Sequence, residues 1–209
     1  MKLVAESFGW PFRARLSTWL IGIVAVLLLP VTFVPLLGYA VAATRAAVTD
    51  PADGPPPWHL NARLLSDGWW VSLAVVLTAM PFAVLLNPLA GLLTGPARGA
   101  LNAHVFAFFV LALPWGLFVL LLMPHATLAF AVSSKPADLF DAASAFRGVR
   151  EDFATWNGVA AAMVTAWAIG LACVGLLCIG VVPGIFYAIL VSAHAAAALR
   201  RQDSRLPAG

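Results

Sequence analysis

The sequence predicts an all-α integral membrane protein of about six membrane helices (two end hairpins and two central spans), with two interfacial amphipathic helices. Three observations carry this prediction. Of 209 residues, 62% are hydrophobic and only 10% are charged, with a mean hydropathy of +0.94. Soluble domains carry about 25% charged residues, too many for this chain to be one of them. The apolar residues are gathered into four blocks separated by polar segments. The basic residues also fall almost wholly on one side of the bilayer when the blocks are threaded through it.

Residues 1–18 read as an interfacial helix, because Phe8, Phe12 and Leu16 recur at helical spacing ahead of Trp19. The first apolar block, Leu16 to Ala43, is far longer than a signal-peptide core of roughly 7–15 residues, so it is expected to be retained. It is broken by Pro30 and Pro35 and reads as a hairpin over 19–48. Pro35 is expected to open the returning arm, since a first-turn proline sacrifices no helical hydrogen bond. That arm, Val34 to Val48, would measure about 22 Å, short of the ~30 Å hydrocarbon core. Residues 49–68 form a polar loop stiffened by Pro55, Pro56 and Pro57. Two central spans follow within 69–132, Trp69 to Leu93 and Ala103 to Val132. Residues 134–156 read as the second interfacial helix, with Leu139, Ala143, Phe146 and Phe153 on its apolar face. The last block, Val159 to Leu199, is long enough for two spans and gives a second hairpin over 157–200, with Pro183 opening the returning arm and a tail at 201–209.

This threading places Lys2, Arg13, Arg15, Arg45, Arg63, Lys135, Arg147, Arg150, Arg200, Arg201 and Arg205 on one side, leaving only Arg98 on the other. By the positive-inside rule both termini are expected in the cytoplasm, at the inner membrane. The two tyrosines sit in matching frames, PLLGYA at 35–40 and PGIFYA at 183–188. Tyr39 and Tyr187 are expected one turn into the returning arms, near the outer interface, in related hairpins.

Helices in lipid associate through close backbone approach rather than apolar burial. Small residues recur every four positions as Gly158, Ala162, Ala166 and Gly170, and again as Gly184, Ala188, Ser192 and Ala196. Gly38, Ala42 and Ala46 repeat the pattern in the first hairpin. These rows predict a closely packed bundle.

Chemistry is sparse. The expected spans hold no Asp, Glu or Lys, and Arg45 lies at a helix end. No catalytic or metal-binding motif is found, so no enzymatic activity, metal or cofactor is expected. His125 and His194 approach one depth and form the one weak cofactor-binding pair, read first as structural histidines. Cys173 and Cys178 read as small apolar side chains. No basic run supports nucleic-acid binding. The leading functional expectation is an accessory subunit that packs against lipids and other membrane-protein chains. The alternatives are a carrier for a neutral or weakly polar solute using Asn87, Asn102 and Asn157, and a haem- or pigment-holding subunit.

Trp10-Pro11-Phe12 leads into the block ending Pro-Leu-Leu-Gly-Tyr-Ala, followed by Arg45, Pro57-Trp58 and Asp67-Gly68. Met123-Pro124-His125-Ala126-Thr127, the helix around Phe140 and Phe146 and the closing glycine-proline hairpin complete the pattern. Over most of its length the chain resembles a bacterial and archaeal membrane-protein family known only as domain-of-unknown-function family 4013. The resemblance implies a multi-span membrane protein and transfers no catalytic residue.

Overall fold

A computed structural model describes residues 2–94, 100–173 and 180–203. Among them the secondary structure is helical throughout, with no strand. The eight α-helices are α1 (Lys2–Gly9), α2 (Leu16–Leu27), α3 (Leu29–Thr49), α4 (Ala62–Leu93), α5 (Ala100–Ser133), α6 (Ala142–Glu151), α7 (Phe153–Ala172) and α8 (Val181–Asp203). Short 3-10 turns at Trp10–Arg13 and Pro136–Leu139 lead into α2 and α6. Among the described residues α3, α4, α5, α7 and α8 are long and apolar enough to cross a membrane, while α2 is a shorter apolar helix. The chain is an all-α membrane protein.

The first hairpin is present, but it turns at a different proline. The helix breaks at Leu28, and Pro30 occupies the first turn of α3, where its missing N–H costs nothing. Pro35 lies inside α3, which runs through it. Thr32 Oγ1 donates to Leu28 O at 2.9 Å and also to Ala25 O, which satisfies carbonyls exposed at the break. The returning arm therefore has 21 residues, about 32 Å, and is not short. The short arm is α2, with 12 residues and about 18 Å. The arms are antiparallel, because Arg13 Nη1, just before α2, donates to Ala52 O at 3.0 Å, just beyond α3.

At the other end, α8 begins at Val181 with Pro183 in its first turn. Most of the turn that precedes it, with Cys178, lies outside the described residues. α3 and α8 run side by side in the same direction. Leu36, Tyr39, Ala43 and Ala47 share one core with Phe186, Leu190, Ala193 and Ala197. The Tyr39 ring is 5.9 Å from Phe186, so the two matching frames lie at one level.

The expected interfacial segments differ in detail. Residues 1–18 are not one helix: α1 ends at Gly9, and a 3-10 turn follows from Trp10 with Pro11 at its start. Trp10 is buried against α8 while Phe12 is exposed. In the second segment, α6 turns Ala145 and Val149 inward and leaves Phe146 exposed. Trp156, expected at the end of that segment, is buried in α7.

α4 and α5 are the longest helices, with 32 and 34 residues, or about 48 and 51 Å. They pair with each other through Trp115 Nε1, which donates to Thr78 O at 3.0 Å, and through Phe82 against Phe108. α3 crosses α4 at almost backbone contact. A methyl group on Gly38 would strike Leu64 O, and one on Gly68 would strike Val34 O.

Candidate functional site

The polar features of the chain converge at one end, around the loop from Asp50 to Asn61. Three prolines keep the loop extended, and it folds back along α3 instead of standing free. Tyr39 donates to Pro56 O at 2.9 Å, and its ring stacks on Trp58 at 4.0 Å with planes 5° apart. Gly54 has φ 79° and packs on Arg13, where an added Cβ would lie 2.7 Å from Arg13 Cβ. A side chain there would be both strained and blocked. Asp50 Oδ1 accepts from Ala52 N, which starts the turn.

Asp67 was expected in this loop. The structure puts it in the second turn of α4, which starts at Ala62 under the side-chain cap of Asn61. Asn61 Oδ1 accepts Leu64 N at 2.8 Å. Asp67 is buried, and its Oδ2 accepts from Arg45 Nη1 and Nη2 at 3.2 and 3.1 Å. Arg45 Nε donates to Ala131 O at 2.8 Å, and Nη2 reaches Ser134 Oγ at 3.4 Å. One guanidinium thus ties α3 to α4 and to the end of α5. Arg63 Nη2 also donates to Ser134 Oγ, at 3.0 Å. Ser134 has φ 59°, an uncommon conformation for a residue with a side chain, and its hydroxyl receives both arginines.

Two cavities flank the loop. The larger, about 330 Å3, is lined by Arg13, Arg15, Asp50, Asp53 and the prolines. The smaller, about 160 Å3, lies over the ion pair and is lined by Tyr39, Arg45, His59, Asn61, Arg63 and Asp67 among others. Ala42 and Ala46, expected in a packing row, line these cavities, and Ala43 and Ala47 are the residues fully buried in the core.

The two tyrosines each donate to a backbone carbonyl of the chain. Tyr39 is 1% exposed beneath the loop, and Tyr187 donates to Phe8 O at 3.0 Å. The histidines have different neighbours. His194 is buried, with Nδ1 2.9 Å from Ser7 Oγ and its ring 5.3 Å from that of Trp10. His125 lies over Gly148 of α6, where an added Cβ would be 2.8 Å from the ring.

Along α7 and α8, Gly170 and Gly184 meet backbone to backbone, with an added Cβ on Gly170 placed 2.8 Å from Gly184 O. Ala166, Ala188 and Val191 form one cluster. Ala162 and Ala196 are buried, and Ser192 is half-buried. Gly158 lies in open space. Asn87, Asn102 and Asn157 are all exposed and share no described cavity. Among the described residues no group of three or more His, Cys, Asp or Glu is placed to hold a metal ion.

The family model described as "Protein of unknown function (DUF4013)" matches residues 21–191. The chain belongs to this family. The match begins inside α2, ends about midway along α8 and takes in the loop, the ion pair and the central helices, so the site described above is made largely of family sequence. No curated protein and no solved structure matches the chain. Within the family the polar end was only partly legible. Arg45, Pro57-Trp58 and Asp67-Gly68 stand out as motifs, but nothing in the sequence says that Asp67 lies opposite Arg45. The readable signal was Asn61, a good cap three residues before Leu64, which would have started α4 early enough to enclose Asp67.

Proposed function

We propose that this chain is a non-enzymatic accessory subunit of the inner membrane that docks on another membrane-protein chain through its α4–α5 hairpin, with both termini in the cytoplasm. The observation that carries the reading is what these two helices leave uncovered. Only 17% of the most apolar stretch of α4 and 6% of that of α5 is buried, against 56% in α8. The exposed face is not uniformly oily. Met80, Val84, Asn87 and Gly91 recur at helical spacing on α4, and Asn102, Phe109, Leu113 and Gly116 do so on α5. No atom outside its own helix and chain neighbours comes within 4 Å of a Cβ built at Gly91 or Gly116. Lipid gains nothing from an asparagine or a glycine, whereas a neighbouring helix uses both, one for a hydrogen bond and the other for close approach.

The test is site-specific photo-crosslinking in native membranes, with mild-detergent isolation and mass identification. A probe at Leu113 is expected to capture a defined membrane chain, and one at buried Ala107 is not. Gly91→Leu should abolish the adduct without lowering the unfolding temperature. Lipid adducts alone at both positions would overturn the reading.

A further inference from the structure

The smaller cavity has the composition of a phosphate site. Arg63 uses one N–H group on Ser134 Oγ and has no other partner among the described residues. Arg45 is held by Asp67, Ala131 and Ser134, so its guanidinium is fixed in place at the cavity wall. The lining carries two arginines and one carboxylate, with His59 on the rim. Two guanidinium groups against one carboxylate leave one positive charge over, matching the single negative charge of a phosphodiester. Asn61 spends its oxygen on the helix cap, which turns its amide N–H groups toward donation. Arginine is the side chain best shaped for this anion, because its planar fork meets two phosphate oxygens at once.

The volume, about 160 Å3, fits a phosphate group with its first ester oxygens. The wall is also preformed. Pro56 and Pro57 line it, and the stacked Tyr39–Trp58 pair holds them down, so little ordering accompanies binding. Leu60, next in sequence to the lining residue His59, is 74% exposed and offers apolar surface for an acyl chain. Basic pockets between membrane helices take anionic headgroups in this way.

We propose that the cavity bounded by Tyr39, Arg45, His59, Asn61 and Arg63 binds a phosphodiester, supplied by the headgroup of an anionic phospholipid. The site is independent of the α4–α5 docking face. The test uses the full chain, purified in mild detergent, delipidated and offered phosphatidylglycerol, phosphatidylcholine or inorganic phosphate, with bound species read by native mass spectrometry.

Retention of one phosphatidylglycerol per chain is expected, favoured about tenfold or more over phosphatidylcholine, which carries the same phosphodiester but sets its choline cation against the two arginines. Arg63→Gln should lose it, Arg63→Lys should recover part of it, and Arg15→Gln, in the neighbouring cavity, should keep it. Asn61→Asp is a second probe, because it preserves the cap and adds a repelling charge; it should also lose the lipid. Inorganic phosphate bound by the wild type and lost in Arg63→Gln, with no lipid retained, would keep the phosphate site and assign its source to solution. Equal retention of both lipids without phosphate binding, or Arg63→Gln binding like the wild type, would overturn the proposal.

Discussion

Arg45 and Asp67 show how one pair of side chains can set the polar end of a membrane bundle. An isolated charge here would be expensive, and the pair is tolerated because each partner is bonded and Arg45 keeps 26% of its side chain exposed. Asp67→Ala leaves Arg45 without its counterion, and a loss of about 2–4 kcal/mol is expected, read as a lower unfolding temperature in detergent. In the double mutant with Arg45→Ala the loss should be smaller than the sum of the two single losses; strict additivity would show that the pair is uncoupled. Glycines supply a second contrast. Gly68→Ala would push a methyl into Val34 O, which is backbone and cannot swing aside, so a destabilisation above about 2 kcal/mol is expected. Gly158→Ala meets nothing, and in the interior of α7 it should raise stability by about 0.5–1 kcal/mol. Both glycines are visible in the sequence. Only the crossing of α3 on α4 tells them apart.

At the scale of elements, periodicity and proline placement located nearly every helix, and the errors cluster at the ends. Two prolines five residues apart, Pro30 and Pro35, both suit a helix start, and nothing local decides between them. The break at Leu28 lets α3 reach a full membrane length, and the shortfall passes to α2. The α6 cap is a simpler case. Asp141 accepts from Ser144 Oγ at 2.6 Å and from Ser144 N at 2.9 Å, which holds its carboxyl below the usual carboxylate range. A carboxylate favoured in the folded state contributes fully above its ordinary pKa, near 4, and loses that contribution as pH falls through its lowered value. Titration followed by carboxyl NMR should show Asp141 ionising at lower pH than a free aspartate, and Ser144→Ala should move it back up. An unchanged midpoint in Ser144→Ala would mean that the cap does not hold the charge.

For the whole molecule, the gathering of charge at one end is the organising feature. Arg13 meets the loop, Arg45 and Arg63 meet Ser134 beside Lys135, and Val4 packs in the same cluster as Leu199. Both ends of the described chain therefore lie close together, as a fold with two hairpins requires. Single cysteines at positions 13, 63, 150 and 200 are expected to react with an impermeant thiol reagent only from the cytoplasmic face. One site labelled from the opposite side would break the proposed orientation.

Composition and the spacing of apolar blocks by themselves determined that this chain is an all-α membrane protein with hairpins at its ends, because a helix in lipid must satisfy its own backbone and needs a fixed length of apolar residues to do so. Tertiary structure alone decided that Tyr39 is buried under a folded-back loop, that Arg45 is neutralised by Asp67, and that α4 and α5 are left largely uncovered. Those outcomes depend on which helices touch and at what height. In a chain where most residues are equally apolar, that choice is made by a few glycines, prolines and polar side chains acting across long sequence separations.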